Sequence, residues 1–169
     1  GTRLNSHQDI LCREQDTGFQ VASHNYEHVY KETNLDKIRN WKTKFDTELS
    51  CITGTLPTVM RAPGGNFGKF ARAQVGLPLI QWSIVSDDAS SDHSEQRLQR
   101  IIGIVRNRAV PGAIVLMHDM NFQCPLYTEE ILIYLEQQNF FCVTVDELFL
   151  HYGIELQPDQ VYYDAVTPA

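Results

Sequence analysis

The sequence has no apolar run near the ~18 residues that a membrane-spanning helix requires. Its longest apolar stretch, residues 109–117, is broken by Pro111 and Gly112. No two of the four cysteines, Cys12, Cys51, Cys124 and Cys142, form a CxxC pair. That removes the spacing of zinc ribbons and thioredoxin-like redox sites, and it predicts free, mostly buried thiols. Positive charge is scarce: 14 Lys and Arg stand against 21 Asp and Glu, a net charge of −7. Such a surface repels nucleic-acid phosphates and anionic lipid, so neither is an expected partner. Internal repeats and low-complexity segments are missing too. The chain opens Gly1-Thr2-Arg3 rather than with a methionine and a basic, then apolar, leader, which reads as a processed or truncated start.

What is present is an ordinary globular composition. The 169 residues, 43% of them hydrophobic, are enough for one domain with a sizeable core. Strand-like and helix-like patterns alternate. A helix is expected from Asn5 or Ser6 to Gln15, then a strand over 19–22. Thr33 and Asp36 resemble a capping box before a helix with Leu35, Ile38, Trp41, Phe45, Leu49 and Ile52 on one face, closed by Gly54. Strands are predicted over 58–61, 79–85, 113–117 and 140–143, the third of these buried on both faces. Helices are expected around 68–75, after Ser94, from Thr128 and over 145–150. This alternation implies a parallel α/β sheet or barrel with about five βα units, where a full barrel takes eight. Residues 1–152 form the expected domain. Residues 153–169 are expected as an extended tail packed on its outside through Val161, Tyr162 and Tyr163.

The chemically capable residues cluster at strand ends. His24, Arg61, Asp88 and His118 follow four successive predicted strands, and the C-terminal ends of strands build the sites of parallel α/β folds. His24 and His28, four residues apart, would share one face of a helical turn and reach one metal ion, unless they are two unrelated surface histidines. Arg61 precedes Pro63-Gly64-Gly65, a turn whose N–H groups can face a developing oxyanion, or a plain turn with a surface arginine. The adjacent Asp87 and Asp88 are candidates for chemistry or simply for capping. His118 ends an apolar strand, where burial demands a partner for its ring. His7, His93 and His151 have no such context.

Four motifs in this order resemble the polysaccharide deacetylases, carbohydrate esterase family four. His24-Asn25-Tyr26-Glu27-His28 is similar to the family's histidine motif, and Arg61-Ala62-Pro63-Gly64-Gly65 to its arginine-proline motif. Gln81 to Ala89, with Trp82 and Asp88, resembles the Trp-and-Asp motif; Leu116-Met117-His118 resembles the Leu-x-His motif. The resemblance implies an incomplete, distorted (β/α) barrel, mostly parallel, with about five of the family's seven βα units. It implies that His24 and His28 bind a divalent metal, zinc being the expected ion, with an aspartate as third ligand. His118 would be the general acid, Asp88 its orienting partner, and Arg61 the residue that holds the base. The Gly64 N–H would join the oxyanion hole, and Trp82 and Leu116 would line the substrate groove. The implied reaction removes acetyl groups from a polysaccharide, an N-acetylglucosamine polymer such as peptidoglycan or chitin, or acetylated xylan. The implied location is secreted or at the cell surface.

The sequence departs from the pattern in places. No Thr-Phe-Asp-Asp-Gly run, the source of the family's base and third ligand, occurs in it. Asn25 stands for the usual Ser or Thr, Gly64 for a tyrosine, Ala89 for a Trp, and Val85 for the first aspartate of its motif. A truncated start accounts for the missing run. The rival readings are a catalytically impaired fragment or pseudoenzyme that binds sugar or metal, and a bare structural α/β domain.

Overall fold

The computed structural model describes residues 1–29, 31–119 and 122–166. In chain order the elements are a 3-10 turn (Leu4–Ser6), α1 (Gln8–Asp16), α2 (Leu35–Thr53), a second 3-10 turn (Pro63–Gly65) and α3 (Phe67–Ala73). There follow β1 (Leu79–Ile80), β2 (Ile84–Val85), α4 (Glu95–Arg108), β3 (Val115–Leu116), α5 (Cys124–Gln137), α6 (Val145–His151) and β4 (Val161–Tyr162). The fold is α/β with short parallel strands, and it divides into two compact units. One comprises Gly1–Gln81 and Thr144–Tyr162; the other comprises Trp82–Val143 and the segment from Tyr163. No helix among the described residues is long and apolar enough to cross a membrane.

In the first unit α2 is the organising element. Asn34, not Thr33, caps it, its side chain accepting from the Lys37 N–H at 3.1 Å. The cap sits one residue later than the pattern suggested because Asn34 is the residue with extended backbone there. Gly54 closes the helix at φ 73, a left-handed turn that costs glycine nothing. Ile38, Trp41, Phe45 and Leu49 are buried as their spacing predicts. The first two join Met60, Phe70 and Leu79 in one core, and the last two join Leu4 in another. Beside these cores runs a parallel ladder. Ser23 bridges Met60, Met60 bridges Leu79, and β1 pairs with β4 in the register Leu79↔Val161 and Ile80↔Tyr162. Expected strands 19–22 and 58–61 shrink to the single bridging residues Ser23 and Met60. The 153–169 segment contributes β4, with Tyr162 buried and Tyr163 exposed. Thr144 and Glu147 form a full capping box on α6.

In the second unit β2 and β3 pair in parallel, Ile84↔Val115 and Val85↔Leu116. The expected strand over 79–85 is therefore two strands, one in each unit. Residues 113–117 are mostly half-buried rather than buried on both faces. Helices α4 and α5 share a core of Leu98, Ile101, Ile102, Val105, Tyr127, Ile131 and Leu135. Ser94 caps α4, accepting from the Arg97 N–H at 3.2 Å. Helix α5 begins at Cys124, ahead of the expected Thr128, because Pro125 suits the first helical turn. Residues 140–143 form no strand: Phe141 is 88% exposed and nothing among the described residues pairs with its backbone. The thiols are free, as expected, but not buried; Cys51 and Cys142 are exposed.

The α4–α5 core should carry the second unit's stability. Ile102→Ala removes a fully buried side chain and is expected to cost about 2–5 kcal/mol, whereas Leu132→Ala, on the exposed face of α5, should stay within about 0.5 kcal/mol. Urea unfolding of the two variants checks the contrast.

Candidate active site

The first unit brings His24, His28, Arg61 and Gly64 to the ends of its short parallel segments. His24 follows the bridging Ser23, and Arg61 follows its partner Met60. Because the pairing is parallel, both emerge at the same end. His24 and His28 do not share a helical turn. Asn25 adopts φ 66 and a bend follows it. Asparagine is one of the few side chains that tolerate that left-handed conformation. It is 1% exposed, and its Nδ2 donates to the Glu27 carbonyl at 3.1 Å. The loop is also fastened to α2, where the Tyr26 hydroxyl donates to Glu48 at 3.1 Å. The result places the two imidazoles with ring centroids 5.0 Å apart, tilted by 54°.

The His24 Nδ1 lies 2.7 Å from the Arg61 carbonyl oxygen. A carbonyl only accepts, so Nδ1 must carry the proton, and Nε2 keeps its lone pair. Desolvation lowers the His24 pKa, and the neighbouring His28 and Arg61 push the same way against the hydrogen bond to the Arg61 carbonyl. A neutral imidazole with its outer nitrogen bare is the ligating form, and a carbonyl behind the ring is the usual way of aiming it. The two imidazoles, His24 and His28, fit a divalent cation in ligand type but do not complete a site. No group of three or more His, Cys, Asp or Glu that could hold a metal occurs among the described residues. Burial also lowers the pKa of the half-buried Arg61. Gly64 and Gly65 take φ 61 and 68 in the turn after Pro63, which explains why residues without a Cβ follow the proline.

The second unit holds Asp88 and His118. Asp88 lies three residues past β2 and His118 two past β3, so the parallel pairing brings them together. The Asp88 Oδ1 meets His118 Nδ1 at 2.8 Å, and Oδ2 accepts from the His118 backbone N–H at 2.5 Å. One carboxylate thus grips both the main chain and the ring of one histidine. The His118 side chain remains 43% exposed while that of Asp88 is 1% exposed. Burial alone would raise the Asp88 pKa; the bonds from the His118 ring and N–H outweigh it and leave the carboxyl below its ordinary range. Asp87 has a separate task. At φ 68 it turns outward and pairs with Arg97 at 3.0 Å and Arg100 at 3.1 Å. Trp82 and Leu116 are half-buried on this unit.

Two participants were not singled out in the sequence. Tyr127 on α5 donates its hydroxyl toward Asp88 Oδ2 at 3.1 Å, and Arg97 on α4 fixes Asp87. Tyr127 sits with Ile131 and Leu135 on an apolar stripe, so periodicity marks it as core. The only signal was chemical: a buried tyrosine hydroxyl demands an acceptor.

Comparison with protein-family models finds no match. The chain is 32% identical over 169 residues to a peptidoglycan N-acetylglucosamine deacetylase of Listeria monocytogenes, covering 97% of this chain and 34% of that protein. It is 27% identical over 150 residues to a peptidoglycan N-acetylmuramic acid deacetylase of Bacillus subtilis, covering 88% of this chain and 31% of that protein. It therefore spans about a third of the length of these relatives. In fold it resembles a family 4 acetyl xylan esterase from Clostridium thermocellum in complex with a cobalt ion, with a TM-score of 0.83 at 22% identity, over 99% of this chain and 83% of that one.

The buried carboxylate gives a pH-dependent test. An Asp88 pKa below its unfolded value stabilises the fold at pH above about 3.9, and that stabilisation is lost as pH falls through the lower folded value. Asp88→Asn puts an N–H2 against a donor and should cost about 1–3 kcal/mol near neutrality. Thermal melts from pH 7 to 3 should show the gap between wild type and variant closing below about pH 4.

Proposed function

Since the chain belongs to the polysaccharide deacetylases, carbohydrate esterase family four, we propose that it works as a metal-dependent hydrolase that removes acetyl groups from a polysaccharide, peptidoglycan N-acetylglucosamine in the first instance. The observation that carries this reading is the Asp88–His118 pair, in which a buried carboxylate holds the inner nitrogen of an exposed imidazole. The substrate preference follows the Listeria relative.

In this reading the chain is part of the family's incomplete (β/α) barrel, with about five of its seven βα units. His24 and His28 hold a divalent cation, zinc by their nitrogen chemistry. That ion would supply Lewis-acid polarisation of the acetyl carbonyl and the attacking water. The chain's own residues do the rest. The Gly64 N–H faces the oxyanion as the carbonyl carbon becomes tetrahedral. His118, protonated at Nε2, delivers that proton to the leaving nitrogen as the carbon–nitrogen bond breaks, giving acetate and a free amine. Asp88 holds the ring and balances its charge meanwhile. Arg61 orients the carboxylate that acts as base; no residue of these 169 matches the family's aspartate run, and none is assigned that task here. Trp82 and Leu116 line the groove. Work on such a polymer places the protein outside the cytoplasm.

Two measurements test this. Isotope-edited NMR during zinc titration should shift His24 Nε2 and His28 together, and His28→Ala should weaken binding by at least the ~10–100-fold that outer partners of a metal ligand are worth; independent responses of the two rings would remove the metal site. Turnover is assayed on acetylated chito-oligosaccharide, peptidoglycan and acetylxylan with added zinc, for this chain and for a longer form carrying the Thr-Phe-Asp-Asp-Gly run. The longer form should be active and lose roughly 10²–10⁴ of its rate on His118→Ala. This chain alone should be slower by a similar factor. Zinc and sugar binding with no turnover by either form would favour the non-catalytic module instead.

A further inference from the structure

Among the described residues, the buried carboxylate of Asp88 meets the His118 ring and N–H and the nearby Ser86 side chain. It also meets Tyr127, fully buried on α5, whose hydroxyl lies 3.1 Å from Asp88 Oδ2 and 3.2 Å from the His118 carbonyl oxygen. A core tyrosine satisfied by whatever acceptor is near would be the plain explanation. It does not account for the hydroxyl meeting both halves of the pair, the acid's outer oxygen and the histidine's own peptide.

We infer that Tyr127 is a positioning residue for His118, holding Asp88 and the His118 main chain so that the imidazole keeps its proton on Nδ1 and presents Nε2 outward. The torsion that turns a carboxylate about its Cβ–Cγ bond is soft and roughly two-fold. The bonds from His118 move with His118, so they tie the acid to the histidine but not to the scaffold. Ser86 is only two residues from Asp88 on the same loop, whereas the Tyr127 hydroxyl comes from a separate helix packed through Ile131 and Leu135 against α4, and it supplies a fixed point from outside that loop. Burial first, then the neighbouring Cys124 and Asp88, push the phenol's pKa well above its ordinary value, so the group stays a donor at any working pH. Because an ionised carboxylate only accepts, Oδ1 turned toward the ring dictates that Nδ1 is the protonated nitrogen.

This inference takes its catalytic meaning from the deacetylase reading, but its main test does not need activity. In the full chain with 15N-labelled histidine, long-range 1H–15N spectra of neutral His118 should show one tautomer, protonated at Nδ1. Tyr127→Phe keeps the ring in the core and removes one oxygen. It should yield a mixture of both tautomers, as Asp88→Asn should. In any longer form that shows deacetylase turnover it should lower kcat roughly tenfold, the scale on which outer partners of a metal-binding histidine act, with KM unchanged. A tyrosine with a merely structural role would lower the melting temperature and leave tautomer and kcat alone, and that result overturns the inference. A tautomer change in a protein with no deacetylase turnover would uphold it and sink the proposed function. Should Tyr127→Phe not fold, the wild type decides. A Tyr127 hydroxyl proton protected from exchange, with a cross-peak to the His118 N–H, supports the arrangement; free exchange overturns it.

Discussion

A carboxylate withdrawn from water has to be met by donors on each side, and Asp88 imposes that demand on the whole second unit. Leaving one of its oxygens unmet would cost about 1–3 kcal/mol, a large share of a small unit's stability. The demand fixes where β3 must end, since the His118 N–H and ring both have to arrive at one acid. It also fixes the face of α5 that turns inward, since the Tyr127 hydroxyl has to arrive as well. The shared register of β2 and β3, only two residue pairs long, is thereby anchored by a polar contact at its end. Asp87 beside it, turned outward by its positive φ, ties the same loop to α4 through Arg97 and Arg100.

The first unit meets a different constraint. Its histidines are brought together by a backbone excursion that most residues resist. Asn25 and Gly64 occupy left-handed conformations at two of its turns, one a side chain that tolerates the geometry and the other a residue with no side chain at all. Rigid neighbours compensate for that local cost. Tyr26 is bonded to α2, and α2 is packed through Ile38 and Trp41 against the residues flanking Arg61.

Much of this was legible in the sequence. The apolar spacing of α2 and α4, Gly54 and Ser94 as stop and start signals, and the parallel α/β class follow from periodicity and capping chemistry. So does the placement of Asp88 and His118 past paired strands, while His24 and Arg61 follow single bridging residues instead. What escaped reading depends on partners distant in the chain. Strand lengths were overestimated because propensity describes a residue's fitness for pairing, whereas pairing itself needs a neighbour; residues 140–143 have the apolar character and no strand partner among the described residues. The His24–His28 spacing suggested a helical turn because residues four apart align on helices, and only the conformation of Asn25 overrules it. Tyr127 looked like core because it is core, with its one polar atom directed at a residue 39 positions away.

The ring of His24 is steered by a main-chain oxygen and not by a side chain. Every amino acid supplies the same carbonyl, so whatever side chain position 61 carries, the group behind His24 persists. On the proposed reading, aiming a ligand and holding a carboxylate would thus be separable, although both would pass through one residue. A chain that altered the arginine side chain would still keep the His24 imidazole held from behind, with its outer nitrogen turned away from that carbonyl.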